Sequence, residues 1–177
     1  MKKGDKMEHT IKMVAVDVDG TFVRSDYTYD VPRFKRILAR MESVGCRFVV
    51  ASGNQYYQLR DLFPGYYDEL SFVAENGAFV KDRKELIFAA NMPKETVDFV
   101  IDICREYPDV LNVMCGVSSA YCERGAVSQD FFDLTRIYYH RLQWIGDFKE
   151  VKDQILKFAP TVPEEKHMRI TIFFRNG

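Results

Sequence analysis

The first third of the chain places one amphipathic stretch between two short apolar runs. Met13–Val16 is an unbroken apolar run rich in β-branched residues, which is typical of a strand buried on both faces of a parallel sheet. Apolar residues then repeat at helical spacing over 34–44, with Asp30 as the predicted N-cap and Gly45 at the end of the helix. Cys46–Ala51 is a second apolar run. The order strand, helix, strand predicts a right-handed parallel crossover and an α/β fold.

The rest of the chain predicts a third strand followed by a mixed α+β region. Ser71–Ala74 reads as a short strand, and Glu75-Asn76-Gly77 reads as a turn. Helical spacing recurs at 93–104 and 131–138, and strand-like stretches lie at 85–89, 110–115, 119–123, 142–145 and 154–159. We therefore predict the N-terminal part of a core domain at residues 1–84 and a second, α+β domain at residues 85–177.

Composition and net charge limit the kinds of molecule that this protein is expected to bind. The chain has 177 residues, of which 47% are hydrophobic, so it can bury a real core. A formal charge of −1 gives no signature of polyanion binding, and we expect no nucleic-acid partner. No apolar run is long enough to cross a membrane, and the basic start Met1–Lys6 lacks the apolar region of a signal peptide. We expect a cytoplasmic protein without a membrane partner, and the oligomeric state stays unknown.

The cysteines and histidines do not suggest a metal or redox site. None of the four cysteines forms a C-x-x-C pair or has a histidine at zinc-ligand spacing, and the three histidines are scattered. Each cysteine lies in an apolar segment, so we predict small buried hydrophobic side chains at Cys46, Cys104, Cys115 and Cys122.

Two carboxylates follow the first predicted strand directly. Asp17 and Asp19 are separated by one valine and followed by Gly20 and Thr21. Residues two apart on an extended chain point to the same side, so both carboxylates can reach one site beyond the strand end, where open α/β sheets bind ligands. Backbone N–H groups of Gly20 and Thr21 can hold an anion, and Mg²⁺ can bridge that anion to the carboxylates. This pattern favours phosphoryl transfer with one aspartate as nucleophile and the other as proton shuttle; an Asp-rich turn is the structural alternative.

A small hydroxyl residue follows the second predicted strand. Ser52 and Gly53 can present a hydroxyl and backbone N–H groups to a phosphate, in the same position that Asp17 has after the first strand. The structural alternative is that Ser52 or Asn54 caps a helix predicted over Gln55–Phe63.

These motifs occur together, in the same order, in a known family. Residues 17–21, 49–59 and 72–78 resemble the haloacid dehalogenase-like hydrolases, and more closely the Cof-type sugar-phosphate phosphatases. A weaker match continues to about Pro163. The resemblance implies a Rossmann-like parallel-sheet core with an inserted α+β cap that selects the substrate. It also places the turn at Glu75 near the mouth of the active site, although a plain hairpin turn explains that segment equally well.

The resemblance assigns roles to the candidate residues. Asp17 would be the nucleophile and Asp19 the general acid and base, with the Asp17 carboxylate and the Asp19 carbonyl oxygen as ligands of Mg²⁺. The Ser52 hydroxyl would bind the phosphoryl group together with Gly53, and Asn54 stands where many relatives carry arginine. These roles imply a Mg²⁺-dependent phosphatase of small phosphorylated metabolites, and we expect sugar phosphates as substrates.

Two further motifs of the family, a lysine motif and an acidic GDxxND motif, have no match in this chain. Gly146–Val151 begins like the second of these but departs at its last two defining positions, so we predict a solvated loop there. We expect a C-terminally incomplete phosphatase with weak turnover or none. Two alternatives stay open at this point, namely a catalytically incompetent fragment that binds phosphate or a partner, and a phosphomutase.

Overall fold

Strands of the chain form two separate sheets in the computed structural model, which describes residues 11–162. The strands of the first sheet are β1 (Met13–Asp17), β2 (Arg47–Ala51), β3 (Ser71–Ala74), β4 (Phe79–Asp82) and β5 (Glu85–Ala89). Those of the second are β6 (Leu111–Gly116), β7 (Ala120–Glu123), β8 (Leu142–Ile145) and β9 (Ile155–Thr161). The helices are α1 (Val31–Ser43), α2 (Tyr56–Asp61), α3 (Lys94–Glu106) and α4 (Gln129–Thr135). We call residues 13–89 the core unit and residues 94–161 the cap unit.

The core unit has a sheet of order β1-β2-β3-β4-β5. The pairs β1–β2 and β2–β3 are parallel, whereas β4 and β5 return antiparallel. Helix α1 begins where the Asp30 carboxylate accepts a hydrogen bond from the Arg33 N–H at 2.9 Å, and it connects β1 to β2. Its buried side chains Phe34 and Leu38 join one apolar cluster with Phe48 of β2 and Phe63. The predicted α/β class with a parallel start is confirmed.

The first strand departs from its prediction. β1 was expected to be buried on both faces, but Met13 is 59% exposed and Val14 is 38% exposed. The prediction is wrong for a topological reason, since β1 is an edge strand of the described sheet and pairs only with β2. Only Val16 of this strand packs against the buried cluster. An apolar run therefore does not by itself show what covers it.

The cap unit has a sheet of order β8-β7-β6-β9 with one helix on each face. Met114 of β6 packs with Ile101 of α3, and its neighbour Cys115 packs with Phe132 of α4. Because successive residues of a strand point to opposite faces, the two helices cover opposite sides of the sheet. Cys115 and Cys122 lie in these clusters, and burial raises the pKa of both thiols to about 12. Cys46, Cys115 and Cys122 are buried as the sequence predicts, whereas the prediction is wrong for Cys104, which is half-buried.

The boundary between the units follows β5. Strand Glu85–Ala89 pairs with β4 in the first sheet, and the cap unit begins after it. The division into domains at residues 1–84 and 85–177 stays a prediction, and residues 163–177 lie outside the described part. Within residues 11–162, no helix combines the length and the apolar composition that a membrane crossing requires.

Candidate active site

Asp17 and Ser52 come close together at the carboxyl ends of two neighbouring parallel strands. In the register of β1 and β2, Asp17 lies opposite Ala51, and Ser52 follows Ala51. After Asp17 the chain turns through Val18–Phe22, where Gly20 has a φ of +69°. A side chain at this φ would be strained, so a glycine is needed for the chain to turn tightly beside the strand end. The predicted meeting of the two motifs at one sheet edge is what the structure shows.

A hydrogen bond connects the two strand ends. Asn54 Nδ2 donates to Asp19 Oδ2 at 3.0 Å, although the two residues are 35 positions apart. Asp17, Asp19 and Thr21 are exposed, and Asn54 is half-buried. The Asn54 amide therefore orients the Asp19 carboxylate while leaving it accessible to a ligand.

Ser52 uses its hydroxyl oxygen within the same turn. Its Oγ accepts a hydrogen bond from the Asn54 N–H at 3.1 Å, and because a hydroxyl both accepts and donates, its hydrogen can still reach a ligand oxygen. Helix α2 begins at Tyr56 after Gln55, and no side chain caps its N-terminus. The alternative that Ser52 or Asn54 is the helix N-cap is therefore wrong, since the helix starts later than predicted.

The turn Glu75–Gly77 packs directly against the turn that contains Ser52. The Glu75 N–H donates to the Asn54 carbonyl at 3.1 Å, and the Asn76 N–H donates to the Ser52 carbonyl at 3.4 Å. The Asn76 Oδ1 atom lies 2.5 Å from where a Cβ on Gly53 would be, so only glycine fits there without a shift of Asn76. Backbone hydrogen bonds thus join the turn at Ser52 to the turn at Glu75.

The donor atoms at this edge fit Mg²⁺. Asp17 and Asp19 offer exposed carboxylate oxygens at the strand end, and the turn after β1 adds carbonyl oxygens. Mg²⁺ prefers oxygen ligands and is commonly held by one or two carboxylates together with substrate phosphate and water. In residues 11–162 no group of three or more histidine, cysteine or acidic side chains is placed to hold a metal ion. A cation here would thus draw on few protein oxygens and complete its coordination with the ligand and water.

The segment Gly146–Val151 contains a short 3-10 helix at Phe148–Glu150, and the predicted solvated loop is wrong at Phe148, which is buried in the apolar interior of the cap unit. Asp147 accepts hydrogen bonds from the Lys149 N–H at 2.7 Å and from Arg105 at 2.8 Å. The backbone hydrogen bond from Lys149 and the Arg105 guanidinium lower the pKa of this carboxyl group. Its carboxylate is thus already paired within the cap unit.

A cavity of about 400 Å³ opens between the Ser52 turn and the cap unit. On the core side it is lined by Gly53, Asn54 and Gln55. The cap side is largely apolar and aromatic, with Phe131, Leu134, Tyr138 and Tyr139 from α4 and the segment after it, and Val113 and Pro160 from the sheet. The cavity therefore adjoins Asn54, whose amide also contacts Asp19.

The cap unit is docked on the start of α2. The side chain of Gln55, which is 3% exposed, donates to the Arg141 carbonyl at 2.8 Å and accepts from the Arg141 N–H at 2.9 Å. His140 Nδ1 lies 2.9 Å from Asp61 Oδ2, and the Arg141 guanidinium stacks 3.8 Å from the centre of the Tyr57 ring. These contacts hold the cap side of the cavity next to the Ser52 turn.

No definite role was predicted from the sequence for three residues around the site. They are Gln55, Glu75 and Lys157, whose Nζ lies 2.8 Å from Glu75 Oε2. Burial raises the pKa of Glu75, and the Lys157 ammonium acts in the opposite direction. For Glu75 and Lys157 the sequence offers one signal, a charged residue beside apolar ones, which does not name the partner; the neutral Gln55 gives no such signal.

Sequence comparisons relate the chain to known proteins. The sequence model of the haloacid dehalogenase-like hydrolases matches residues 14–173. The 5-amino-6-(5-phospho-D-ribitylamino)uracil phosphatase YbjI of Escherichia coli is 37% identical over 156 residues, which are 88% of this chain and 57% of that protein. A phosphoglycolate phosphatase of Metallosphaera sedula is 40% identical over 72 residues, which are 40% of this chain and 32% of that protein.

A solved structure shares the fold over nearly the whole chain. The crystal structure of SMU.1108c from Streptococcus mutans superposes with a TM-score of 0.84 at 31% identity, covering 95% of this chain and 63% of that one. The chain therefore spans less than two thirds of the length of these relatives.

Proposed function

The chain belongs to the haloacid dehalogenase-like hydrolase family, and we propose that it acts as a Mg²⁺-dependent phosphatase of small phosphorylated metabolites, with sugar phosphates as the substrate class. The observation that carries the proposal is the hydrogen bond of 3.0 Å between Asn54 and Asp19, which joins the two strand ends that carry Asp17 and Ser52. A carboxylate pair and a hydroxyl at one open edge match the needs of phosphoryl transfer, which relies on positioning and charge neutralisation. We further propose a cytoplasmic enzyme without a nucleic-acid or membrane partner.

The reaction has two halves. In the first, an Asp17 carboxylate oxygen attacks the phosphorus atom, the bond to the leaving oxygen breaks, and Asp19 donates its proton to that oxygen. In the second, the Asp19 carboxylate takes a proton from water, which attacks the aspartyl-phosphate and releases inorganic phosphate. The Asn54 amide holds Asp19 in one orientation for both proton transfers.

The phosphoryl group would be held by the turns around Asp17. The Ser52 hydroxyl, the Gly53 N–H and the N–H groups of Gly20 and Thr21 would bind its oxygens. The Asp17 carboxylate and the Asp19 carbonyl oxygen would ligate Mg²⁺, which supplies charge neutralisation when it is bound. These ligand assignments are proposals for this chain.

The relatives suggest which substrates to assay first. The Escherichia coli relative is named for a substrate with a uracil ring linked to a phosphorylated ribityl chain, and the Metallosphaera relative for phosphoglycolate. The cavity of about 400 Å³ beside Asn54 has aromatic walls at Phe131 and Tyr139, and planar rings pack well on aromatic side chains. We therefore propose 5-amino-6-(5-phospho-D-ribitylamino)uracil as a candidate beside simple sugar phosphates.

A phosphatase assay tests the proposal. Release of inorganic phosphate would be measured for a panel containing hexose phosphates, pentose phosphates, phosphoglycolate and the phosphoribityl uracil compound, with and without Mg²⁺. Phosphate release by wild type should be weak and should depend on Mg²⁺, and Asp17→Asn should abolish it while the circular dichroism spectrum stays unchanged. Near-parental activity of Asp17→Asn would show that the assigned nucleophile is wrong.

A second candidate is a chain that binds phosphate without turnover. The local electrostatics favour the lack of turnover, since no ion pair within residues 11–162 involves Asp17 or Asp19. Two carboxylates facing a dianionic phosphate lower the reaction rate unless positive charge offsets them. The same assay distinguishes the candidates, and an isomeric sugar phosphate as product would indicate a phosphomutase instead.

A further inference from the structure

Lys157 of the cap unit reaches both turns of the candidate site at once. It lies on β9, and its Nζ is 2.8 Å from Glu75 Oε2 and donates to the Gly53 carbonyl at 3.1 Å. The Lys157 side chain is 21% exposed and that of Glu75 is 2% exposed, so the ion pair is largely removed from water. One ammonium group thus connects the cap sheet to the Ser52 turn and to the turn that supports it.

The backbone at Glu75 adds an independent observation. Glu75 and Asn76 have φ values of +55° and +57°, a left-handed conformation that is uncommon for residues other than glycine. Such conformations persist where surrounding contacts enforce them, and they cluster at functional sites. Here the conformation belongs to a turn whose carboxylate is buried against the cap unit rather than exposed to solvent.

Among the described residues, no cation other than Lys157 pairs with the buried Glu75 carboxylate. Burial raises the pKa of Glu75, and the neighbouring groups that feel its charge are the neutral thiol of Cys115 and the phenol of Tyr139, on the cap side. Removing one partner of a buried pair is strongly unfavourable because the other charge stays in a low dielectric.

We propose that Lys157 is a positioning residue that clamps the cap unit onto the Ser52 turn. By holding the Glu75 carboxylate and the Gly53 carbonyl together, it fixes the backbone from Ser52 to Asn54 in the arrangement that would receive a phosphoryl group. Loss of the ammonium group therefore opens the contact between the units and loosens this turn. This proposal rests on the proposed function in one respect only: the phosphatase proposal says that the ligand bound by the turn is a phosphoryl group.

Hydrogen exchange of the full chain tests the clamp without any need for turnover. In Lys157→Met, amide protection over residues 52–59 and 136–142 should fall about a hundredfold, while protection in α1 and α3 should stay within about twofold of wild type. Lys157→Arg should restore most of the protection, because it returns a cation to Glu75. Lys149→Met is the matched control, since Lys149 pairs with Asp102 on the surface of the cap unit and should leave both segments unchanged.

A double variant keeps the test decisive if Lys157→Met fails to fold. Glu75→Gln/Lys157→Met removes both charges, so it should fold, but protection over residues 52–59 should stay low because the ammonium group that holds the two turns is still missing. Unchanged protection in Lys157→Met, an equal loss in every segment, or wild-type protection over residues 52–59 in the double variant would each overturn the clamp. Failure of the phosphatase proposal gives a different result, namely no phosphate release from wild type with the exchange pattern as expected.

Discussion

Replacing Gln55 by alanine should weaken the docking of the cap unit on the core unit. The Gln55 amide is 3% exposed and exchanges two hydrogen bonds with the backbone of Arg141, at 2.8 and 2.9 Å. The Arg141 carbonyl also accepts from the Ala120 N–H at 2.9 Å and from the Ser119 hydroxyl at 3.2 Å. The carbonyl therefore keeps partners in Gln55→Ala, whereas the Arg141 N–H loses the acceptor that Gln55 provides.

The magnitude follows from these contacts. Two neutral hydrogen bonds contribute about 1 kcal/mol each, so Gln55→Ala should lower the free energy of unfolding by about 2 kcal/mol. The cost rises if the Arg141 N–H stays away from water, because an unsatisfied buried donor costs about 1–3 kcal/mol. A surface glutamine gives the comparison. Gln143 on β8 is exposed, and Gln143→Ala should change the free energy of unfolding by no more than about 0.5 kcal/mol.

Urea unfolding measures this difference. The chain has a single tryptophan, Trp144, which stacks on Phe132 with a centroid distance of 4.3 Å and so reports on the cap unit. Its fluorescence would be followed beside circular dichroism at 222 nm, where both units contribute helix signal. A free energy of unfolding for Gln55→Ala within about 0.5 kcal/mol of wild type would refute the reasoning, because it would mean that the two hydrogen bonds do not hold the units together.

Three further predictions concern the site and the sheet edge. Asp19→Asn should lower the phosphatase rate by about 10²–10⁴-fold, since Asp19 acts in both half-reactions, and Ser52→Ala should lower it less; equal, negligible effects in steady-state assays would contradict the site. Burial raises the pKa of Glu75 above its ordinary 4.5, so the folded chain keeps this proton to higher pH than the unfolded chain. Wild type should therefore lose stability relative to Glu75→Gln as pH rises above 4.5, and parallel stability curves in thermal melts at several pH values would refute this. Val14 is 38% exposed on an edge strand, so the chain should self-associate and elute earlier in size-exclusion chromatography as its concentration rises. Val14→Lys should reduce this shift. An elution volume that does not change with concentration for either protein would show that the exposed edge strand does not drive association.

Much of the core unit and of the candidate site could be predicted from local sequence patterns. The apolar runs before Asp17 and Ser52 gave two parallel strands with polar residues at their carboxyl ends, and β1 and β2 pair as that order requires. The prediction of family membership from the same motifs is confirmed by the match over residues 14–173. These features follow from short-range rules, since strand periodicity and turn chemistry depend on residues close together in the chain.

The contacts of each motif with the rest of the molecule could not be read in the same way. The sequence predicted β1 to be buried, and it is exposed because hydrophobicity does not tell which strand lies at the edge of a sheet. Glu75 was left between a structural and a functional role, because a Glu-Asn-Gly turn has the same local pattern whether or not a cation reaches it.

The sequence by itself determined the chemistry that this protein can offer, since Asp17, Asp19 and Ser52 must emerge at strand ends where burial of a polar group is avoided. Tertiary structure alone decided how those groups are held. Asn54 meets Asp19 across 35 residues, Gln55 meets Arg141 across 86, and Lys157 meets Gly53 across 104. Such pairs depend on how the two sheets pack, and packing is set by the whole apolar interior rather than by the residues that it brings together.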